Sequence, residues 1–392
     1  MEKTVQDPVH GIIKLEEWML RIIDTPQFQR LRRIKQLGFA NLVYPGANHT
    51  RFEHSLGVMH ITKILADRLG FDDEIVASAL LHDIGHAPFS HSSERILEKY
   101  LNFRHENVKK VIRGELKDVL NDLGFNISRI SDYISGRKPS IINGDIDTDR
   151  MDYLVRDSHY TGVAYGVFDI YRLIDKIKFD GEIVIDQRGL KAAESLLISR
   201  FLMYPTVYYH HVCRIAKKMY EKAMKIAIES GFDAKKLLEI DDCEAMMILK
   251  SFKDSAEIAE MIRNRRLFKR AIYVSRHRVD LREVLRVNEE RAEREIAEDA
   301  HIDEKYVLVD IQPIEEVREV SAKVEIEGRI LRLDEASPLV KALKDANLEN
   351  WRLGVYTKPE YVKKVGKVAM DYFGIEKITI QKSLDEVLPS ST

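Results

Sequence analysis

Apolar residues recur at helical spacing over long parts of this chain. From 58 to 69 they fall at Val58, Met59, Ile61, Ile64, Leu65 and Leu69, and 75–82 is an apolar-rich run with the spacing of a buried helix. The same period marks 93–101, 106–120 and 214–228, with Gly, Asn and Pro signals between them. The chain therefore reads as mostly helical from about residue 16 to 285. One interruption alternates instead: 179–185 carries Asp180-Gly181, a tight-turn dipeptide, between residues of period two. The pattern changes near 285. Beyond it, 306–311, 324–333 and 352–356 read as strands, and 337–346 and 359–373 as helices, which predicts a small α+β lobe. The charge-dense stretch 288–298 reads as a solvated helix joining the two parts. The expected organisation is a mainly α domain over 1–285 and a smaller C-terminal α+β lobe over 286–392.

Composition supports a folded, non-membrane chain. With 392 residues, 45% hydrophobic and 32% charged, there is material for one large core and a second lobe. A formal net charge of −2 removes any overall electrostatic drive toward nucleic acid or anionic membrane, so polyanion binding has to be local. The two cysteines, Cys213 and Cys243, have no paired spacing, which argues against a disulfide framework or a cysteine zinc site. No N-terminal apolar segment and no run of about 18 apolar residues occurs, so a cytoplasmic location is expected.

The candidate chemistry sits where the 75–82 run ends. Leu80-Leu81-His82-Asp83-Ile84-Gly85-His86, continued by Ala87-Pro88-Phe89-Ser90-His91, delivers two imidazoles and a carboxylate within five residues. Neutral imidazole and ionised carboxylate are good ligands for a divalent cation, and a cation compensates such polarity when it is buried. A histidine-rich helix end with capping roles is the plainer reading of those residues alone. Upstream, His54 falls on an early turn of the helix that begins in Asn48-His49-Thr50-Arg51-Phe52-Glu53-His54. Downstream, Asp145, Asp147, Asp149 and Asp152 crowd into eight positions ahead of another helix-like stretch. One carboxylate of that run suffices for a metal set; the others read as cap, turn or salt-bridge residues.

His54, His82, Asp83 and Asp149 stand in the order H…HD…D, and the chain resembles the HD-domain metal-dependent phosphohydrolases. Five blocks in order narrow the resemblance: DPVHGIIKLEEWMLRIIDTPQFQRLRRIKQLG, YPGANHTRFEHSLGV, LLHDIGHAPFSH, RHE and DTDRMDYLVRDSHYTG are similar to the deoxynucleoside triphosphate triphosphohydrolases, the animal members with a SAM domain and their prokaryotic counterparts. The resemblance implies a helical HD core that cleaves dNTP to deoxynucleoside and inorganic triphosphate, with His54, His82, Asp83 and Asp149 holding one divalent metal: iron, manganese, magnesium, nickel or zinc. It implies His86, His91 and His105 beside the α-phosphate, with His91 or His105 as general acid, Glu94 and Glu106 as their orienting partners, and Arg51, Arg150 and Arg200 on the phosphates. Gln36 and Leu37 match the sugar-reading segment, where the leucine crowds a 2′ hydroxyl; Tyr153, Asp157 and Tyr208 match residues near phosphate, sugar and base. Tyr204 and Tyr209 replace a polar His and Gln of the animal members, so base preference does not carry over. Lys3, Asp24, Gln29, Arg32, Arg172, Arg265 and Lys269 match positions that bind an activating nucleotide, GTP or dNTP, at subunit contacts, which implies an allosteric homo-oligomer, dimer or tetramer. Two readings of other classes stay open: an HD nucleotidase or phosphodiesterase, and a non-enzymatic HD scaffold that senses nucleotide or binds nucleic acid.

Overall fold

The computed structural model describes residues 3–314 and 318–375. It opens on an antiparallel hairpin, β1 (Lys3–Asp7) and β2 (Gly11–Leu15). Asp7 builds the turn: its Oδ1 accepts hydrogen bonds from the backbone N of Val9 (2.9 Å) and His10 (2.8 Å).

Three helices then frame the site. Helix α1 (Arg51–Leu69) begins at a Thr50/Glu53 capping box and ends at Gly70, whose φ of +77° is the left-handed stop that glycine adopts freely. It buries Phe52, Leu56, Val58, Met59, Ile61 and Leu65. Helix α2 (Asp73–Leu81) buries every residue of 75–81, so its C-terminus delivers His82 into the interior. Helix α3 (Thr148–Thr161) is capped by Asp147, which accepts from the Arg150 N, and it closes at Gly162. α1 packs on both others, and Thr62 meets Thr148 through their hydroxyls at 2.7 Å. Each fully buried aliphatic side chain in these interfaces contributes about 1.5–3 kcal/mol of transfer free energy. Helices α4 (Leu190–Met203) and α5 (His211–Glu229) follow, joined through a π-turn, Tyr204–Tyr208.

Contacts divide the chain into two compact units, Met1–Leu267 with Glu315–Asn347, and Phe268–Ile314 with Leu348–Thr392. The sequence pattern suggested one boundary at 285; here the chain leaves the helical unit earlier and returns to it. The return adds strands to the predicted 179–185 hairpin: β3 (Ile177–Phe179) and β4 (Ile183–Asp186) join β7 (Lys323–Ile326) and β8 (Arg329–Arg332) in the order β3-β4-β7-β8, with β4 and β7 parallel. In the second unit β5 (Lys269–Ser275), β6 (Val307–Ile311) and β9 (Arg352–Thr357) form an antiparallel sheet of order β5-β9-β6. Helices α6 (Glu289–Asp299) and α7 (Val362–Tyr372) cover it around Ile272, Ile296, Val309, Val355 and Val365. The fold class is mainly α with a C-terminal α+β part.

Four local readings change. The 324–333 run is a hairpin, because Glu327 (φ +50°) and Gly328 (φ +77°) form the left-handed pair of a tight turn. The 106–120 run is a short 3₁₀ turn, Val108–Lys110, followed by a helix, Gly114–Asp122, and Gly114 at φ +53° breaks the two apart. β5 lies inside a stretch read as helical. α6 is not a solvated connector: Glu293 is buried and accepts from the Val309 N at 3.0 Å, while Glu289 accepts from the Ile311 N at 2.8 Å. Two of its acids thus satisfy backbone donors of the edge strand β6, which would otherwise need water.

Candidate metal centre and its surroundings

His54 projects from the first turn of α1, His82 from the C-terminus of α2, and Asp149 from the first turn of α3, so three helices contribute one group each. One ligand atom from each of the three lies within 4.8 Å of the others. The second ring nitrogens explain why. His54 Nδ1 donates to Asp152 Oδ2 at 2.7 Å, and His82 Nδ1 donates to the Ala79 carbonyl at 2.7 Å. Each ring then keeps its Nε2 lone pair for the centre, where the two nitrogens face each other at 3.2 Å and Asp149 Oδ1 stands 3.0 Å from His54 Nε2 and 3.7 Å from His82 Nε2. Two lone pairs and a carboxylate turned on one point fit a divalent cation, with tautomers fixed from behind. Asp83 flanks the trio: its oxygens lie 3.4 Å from His82 Nε2 and 3.6 Å from His54 Nε2. Burial works against charge on His54, but hydrogen bonds to Asp149 and Asp152 and the charge of Asp83 outweigh it and push the imidazole up to about 10. A proton therefore competes with any cation there.

Arg51 touches this cluster through Asp83. It is 3% exposed; Nη1 donates to Asp83 Oδ2 at 2.7 Å and Nε to Ser90 Oγ at 2.8 Å. Its Nη2 is buried without a hydrogen-bond partner. His86, 1% exposed, has both ring nitrogens without partners; Nε2 approaches Asp83 Oδ1 at 3.2 Å, but not in the direction of a hydrogen bond. Burial, then the charges of Arg51 and His105, hold His86 well below the usual imidazole range, so it is neutral. Buried donors and acceptors are satisfied as a rule, and exceptions grouped in one place call for a ligand.

His86 stacks on His105 with centroids 4.0 Å apart. Glu94 accepts from His91 Nδ1 and from His105 Nδ1, both at 2.8 Å. His86, Glu94 and His105 form a second close set of potential ligands. Burial opposes charge on His105, but Glu94, and then Glu106 and Asp83, raise it above the ordinary histidine value. His91 is 60% exposed at its side chain and His105 23%.

Of the residues expected to meet sugar and phosphate, Arg150, Tyr153 and Asp157 lie on α3, Arg200 on α4 and Tyr208 in the turn after it, and Gln36 and Leu37 on the 35–37 segment. Gln36 is buried with Oε1 unpartnered, and Leu37 is half-buried beside it. Asp157, 1% exposed, accepts from His49 Nε2 and from the Tyr208 hydroxyl, each at 2.8 Å. Tyr208 meets Tyr153 edge to face at 6.2 Å. Arg150 is bonded to Asp147 and to the Gly144 carbonyl. Burial pushes Asp147 up to about 6 although Arg150 opposes it. Arg200 donates to the Tyr204 hydroxyl at 3.1 Å and lies over that ring; Tyr204 also packs on Tyr208 and Tyr209, so the departing tyrosines form one aromatic cluster.

Of the activator positions, Gln29 and Arg32 are joined, Arg32 Nε donating to Gln29 Oε1 at 2.8 Å while its guanidinium covers Phe52. Lys3, Asp24 and Arg172 are exposed on separate elements; Arg265, at φ +54°, donates to the Leu42 carbonyl. Lys269 is exposed on β5 of the second unit.

Of the ionic layer behind His54, the sequence pattern offers only a salt-bridge role for Asp152. Asp152, 0% exposed, also binds His10 Nε2 (2.6 Å) and Arg156 (2.8 and 2.9 Å), and Arg156, itself 0% exposed, reaches Asp7 at 2.8 Å. A helical signal existed, since Asp149, Asp152 and Arg156 lie on one face of α3. His10 and Asp7 offered none.

The HD-domain family profile matches residues 51–157 and the HD-associated-region profile residues 168–384, the second alone more than half of the chain. The chain belongs to the HD-domain phosphohydrolases. It is 37% identical over 386 residues to an uncharacterized protein of Methanocaldococcus jannaschii, covering 93% of this chain and 81% of that one. It is 31% identical over 346 residues to the deoxynucleoside triphosphate triphosphohydrolase SAMHD1 of Homo sapiens, covering 68% of this chain and 54% of that protein. A crystal structure of a hypothetical protein from Aquifex aeolicus matches with TM-score 0.79 at 32% identity over 94% of this chain and all of that one. HD domains bind a divalent metal, and the His54, His82 and Asp149 group suits that role. No helix among the described residues is long and apolar enough to cross a membrane.

Proposed function

We propose that this HD phosphohydrolase cleaves dNTP at the α-phosphate, releasing deoxynucleoside and inorganic triphosphate. The observation that carries the reading is the set of unpartnered buried atoms beside the candidate metal centre, Arg51 Nη2 and both ring nitrogens of His86, together with Gln36 Oε1 on the 35–37 segment. A cation and a neutral imidazole suit phosphoryl oxygens, and an amide oxygen suits a sugar hydroxyl. The name borne by the SAMHD1 relatives points the same way.

His54, His82, Asp83 and Asp149 are the residues that would hold the metal. When bound, a divalent cation there supplies charge neutralisation at the phosphate and acidifies a water ligand toward neutral pH. The remaining work falls to side chains. Arg51, Arg150 and Arg200 bind and orient the triphosphate, while His86 stays neutral to hydrogen-bond it. His105 gives its proton to the leaving 5′ oxygen; Glu94 favours its charged form against burial, and it is less exposed than His91. Gln36 reads the 3′ hydroxyl, Leu37 excludes a 2′ hydroxyl, and Asp157 with Tyr208 and Tyr153 lines the sugar side. Five of the activator positions, Lys3, Arg32, Arg172, Arg265 and Lys269, are exposed cations suited to a nucleotide polyphosphate, while Gln29 and the carboxylate of Asp24 suit a base rather than phosphate, and we take the active form to be a homo-oligomer.

Anion-exchange analysis of products tests this, with Mg²⁺, Mn²⁺ or Fe²⁺, all four dNTPs, and GTP present or absent. Inorganic triphosphate, abolished by His82→Ala with Asp83→Ala, is expected. Orthophosphate or a cleaved phosphodiester moves the chain to another HD reaction, and no turnover under any pairing points to a sensor or scaffold. Turnover indifferent to GTP and to a second dNTP overturns the activator reading.

A further inference from the structure

Asp241 and Asp242 stand together at the start of the helix Asp242–Ser251, yet only the first caps it. Asp241 caps the helix, accepting from the N of Cys243 (3.0 Å) and Glu244 (3.1 Å). Asp242 turns inward and is 6% exposed. Its Oδ2 accepts from the Lys35 N at 3.0 Å and its Oδ1 from the Phe89 N at 2.6 Å. One carboxylate thereby ties the segment carrying Gln36 and Leu37 to the loop carrying His86 and His91.

That loop needs holding. Phe89 (φ +57°) and Ser90 (φ +56°) are consecutive non-glycine residues in the left-handed region, a conformation that persists only where surroundings over-determine it. The surroundings come from the same two directions. Ser90 Oγ donates to the Lys35 carbonyl at 2.7 Å while accepting from Arg51. The Phe89 ring stacks on Phe39 at 4.3 Å, and a Cβ on Gly38 would come 2.9 Å from the Phe89 carbonyl oxygen. Arg30, 6% exposed, secures the other half of the loop: Nη2 donates to the carbonyls of Ile84 (2.9 Å) and His86 (2.7 Å), and Nη1 to Ile240, two residues before Asp242.

We propose that Asp242, assisted by Arg30, is a positioning residue that buckles the sugar-facing 35–37 segment to the 84–93 histidine loop and so couples sugar discrimination to the placement of His86 on the phosphates. The catalytic part rests on the dNTP hydrolase reading; the buckle does not. Asp242→Asn keeps the volume but offers one acceptor where two backbone donors need one each, and it turns an NH₂ toward a backbone N–H. Asp241→Asn is the control, removing charge from the cap and from the ion pair with Arg33 while leaving both buckle contacts.

Hydrogen exchange followed by mass spectrometry on the full chain decides. In Asp242→Asn, peptides spanning 34–40 and 84–93 should exchange together at least about tenfold faster, with 55–69 unchanged and metal stoichiometry unchanged; Asp241→Asn should leave the first two unchanged. Turnover should fall by about 10–100-fold, and the preference for dNTP over rNTP should fall with it, as expected of lost orientation. Protection lost in one segment alone, in neither, or equally in Asp241→Asn overturns the proposal. Should the wild-type chain turn over no dNTP, the function reading fails and the exchange result still stands or falls by itself. If Asp242→Asn does not fold, Asp242→Ser replaces it with the same expectations.

Discussion

Gly57 lies on α1 one turn beyond His54, and its missing side chain makes room for the ionic layer behind the candidate metal centre. A Cβ there would overlap Asp152 Oδ1 and Arg156 Nη2 and come 2.7 Å from Asp152 Cγ. In an ordinary helix interior, glycine to alanine is stabilising by about 1 kcal/mol. Here the methyl must displace a carboxylate and a guanidinium that are both 0% exposed and bonded to each other, to His54, to His10 and to Asp7. Breaking one side of a buried pair costs about 3–5 kcal/mol, so Gly57→Ala should destabilise by roughly 2–4 kcal/mol net. It should also weaken metal binding by about 10–100-fold, since His54 loses the partner that fixes its tautomer. Urea unfolding of chelated protein, followed by circular dichroism, reads the first effect; Co²⁺ titration reads the second. Combining Gly57→Ala with Asp152→Ala should cost less than the sum of the two, because the closest part of the clash is with the carboxylate. A Gly57→Ala chain as stable as wild type, or more stable, refutes the reasoning.

Metal removal should expose the titration of His54. Its imidazole, raised to about 10 from an unfolded value near 6.5, contributes stability that is complete below about pH 6.5 and lost as pH rises through about 10. Chelated protein should lose up to several kcal/mol over that window relative to His54→Gln, whereas Mn²⁺-loaded protein should not; parallel curves would sink the assignment. Glu94→Gln should move the basic limb of kcat/KM toward lower pH, because the carboxylate is what raises His105 against its burial; an unmoved limb excludes His105 as the acid. Arg51→Lys keeps a charge but loses the fork that spans Asp83, Ser90 and the site, so turnover should fall about 100-fold or more, and near-normal kcat would show that the unpartnered Nη2 is idle. Leu37→Ala should lower dNTP over rNTP discrimination about tenfold or more, measured as a ratio of kcat/KM values.

What could be seen in the sequence follows from how far each interaction reaches along the chain. α1 and α2 were legible because each buries one apolar stripe or run, and period alone reports that. β5 was not: of Lys269–Ser275 only Ile272 is buried, and the charges beside it hide an alternation that the pairing with β9 supplies. α6 misled in the opposite direction, since its acids look solvated until β6 presents two backbone donors to Glu289 and Glu293. The candidate site divides along the same line. His54, His82, Asp83 and Asp149 are recognisable as ligand types in ordered motifs, so the identity of the centre is local information. Its geometry is not. His54 is aimed by Asp152, 98 residues away; Asp152 is held by His10, 142 residues away, and Arg156 by Asp7, 149 residues away. No spacing rule connects such positions, and hairpin residues such as Asp7 and His10 have ordinary turn roles that conceal the second one. The consequence is specific: substitutions in β1–β2 and its turn, far from every motif residue, should act on metal affinity through Arg156 and Asp152 rather than on stability alone. His10→Ala is the mildest of them, removing one of four hydrogen bonds to the Asp152 carboxylate. Weaker Co²⁺ binding than wild type, with an unfolding midpoint lowered much less than in Gly57→Ala, is the outcome this account requires; unchanged affinity would mean that α3 alone positions Asp152.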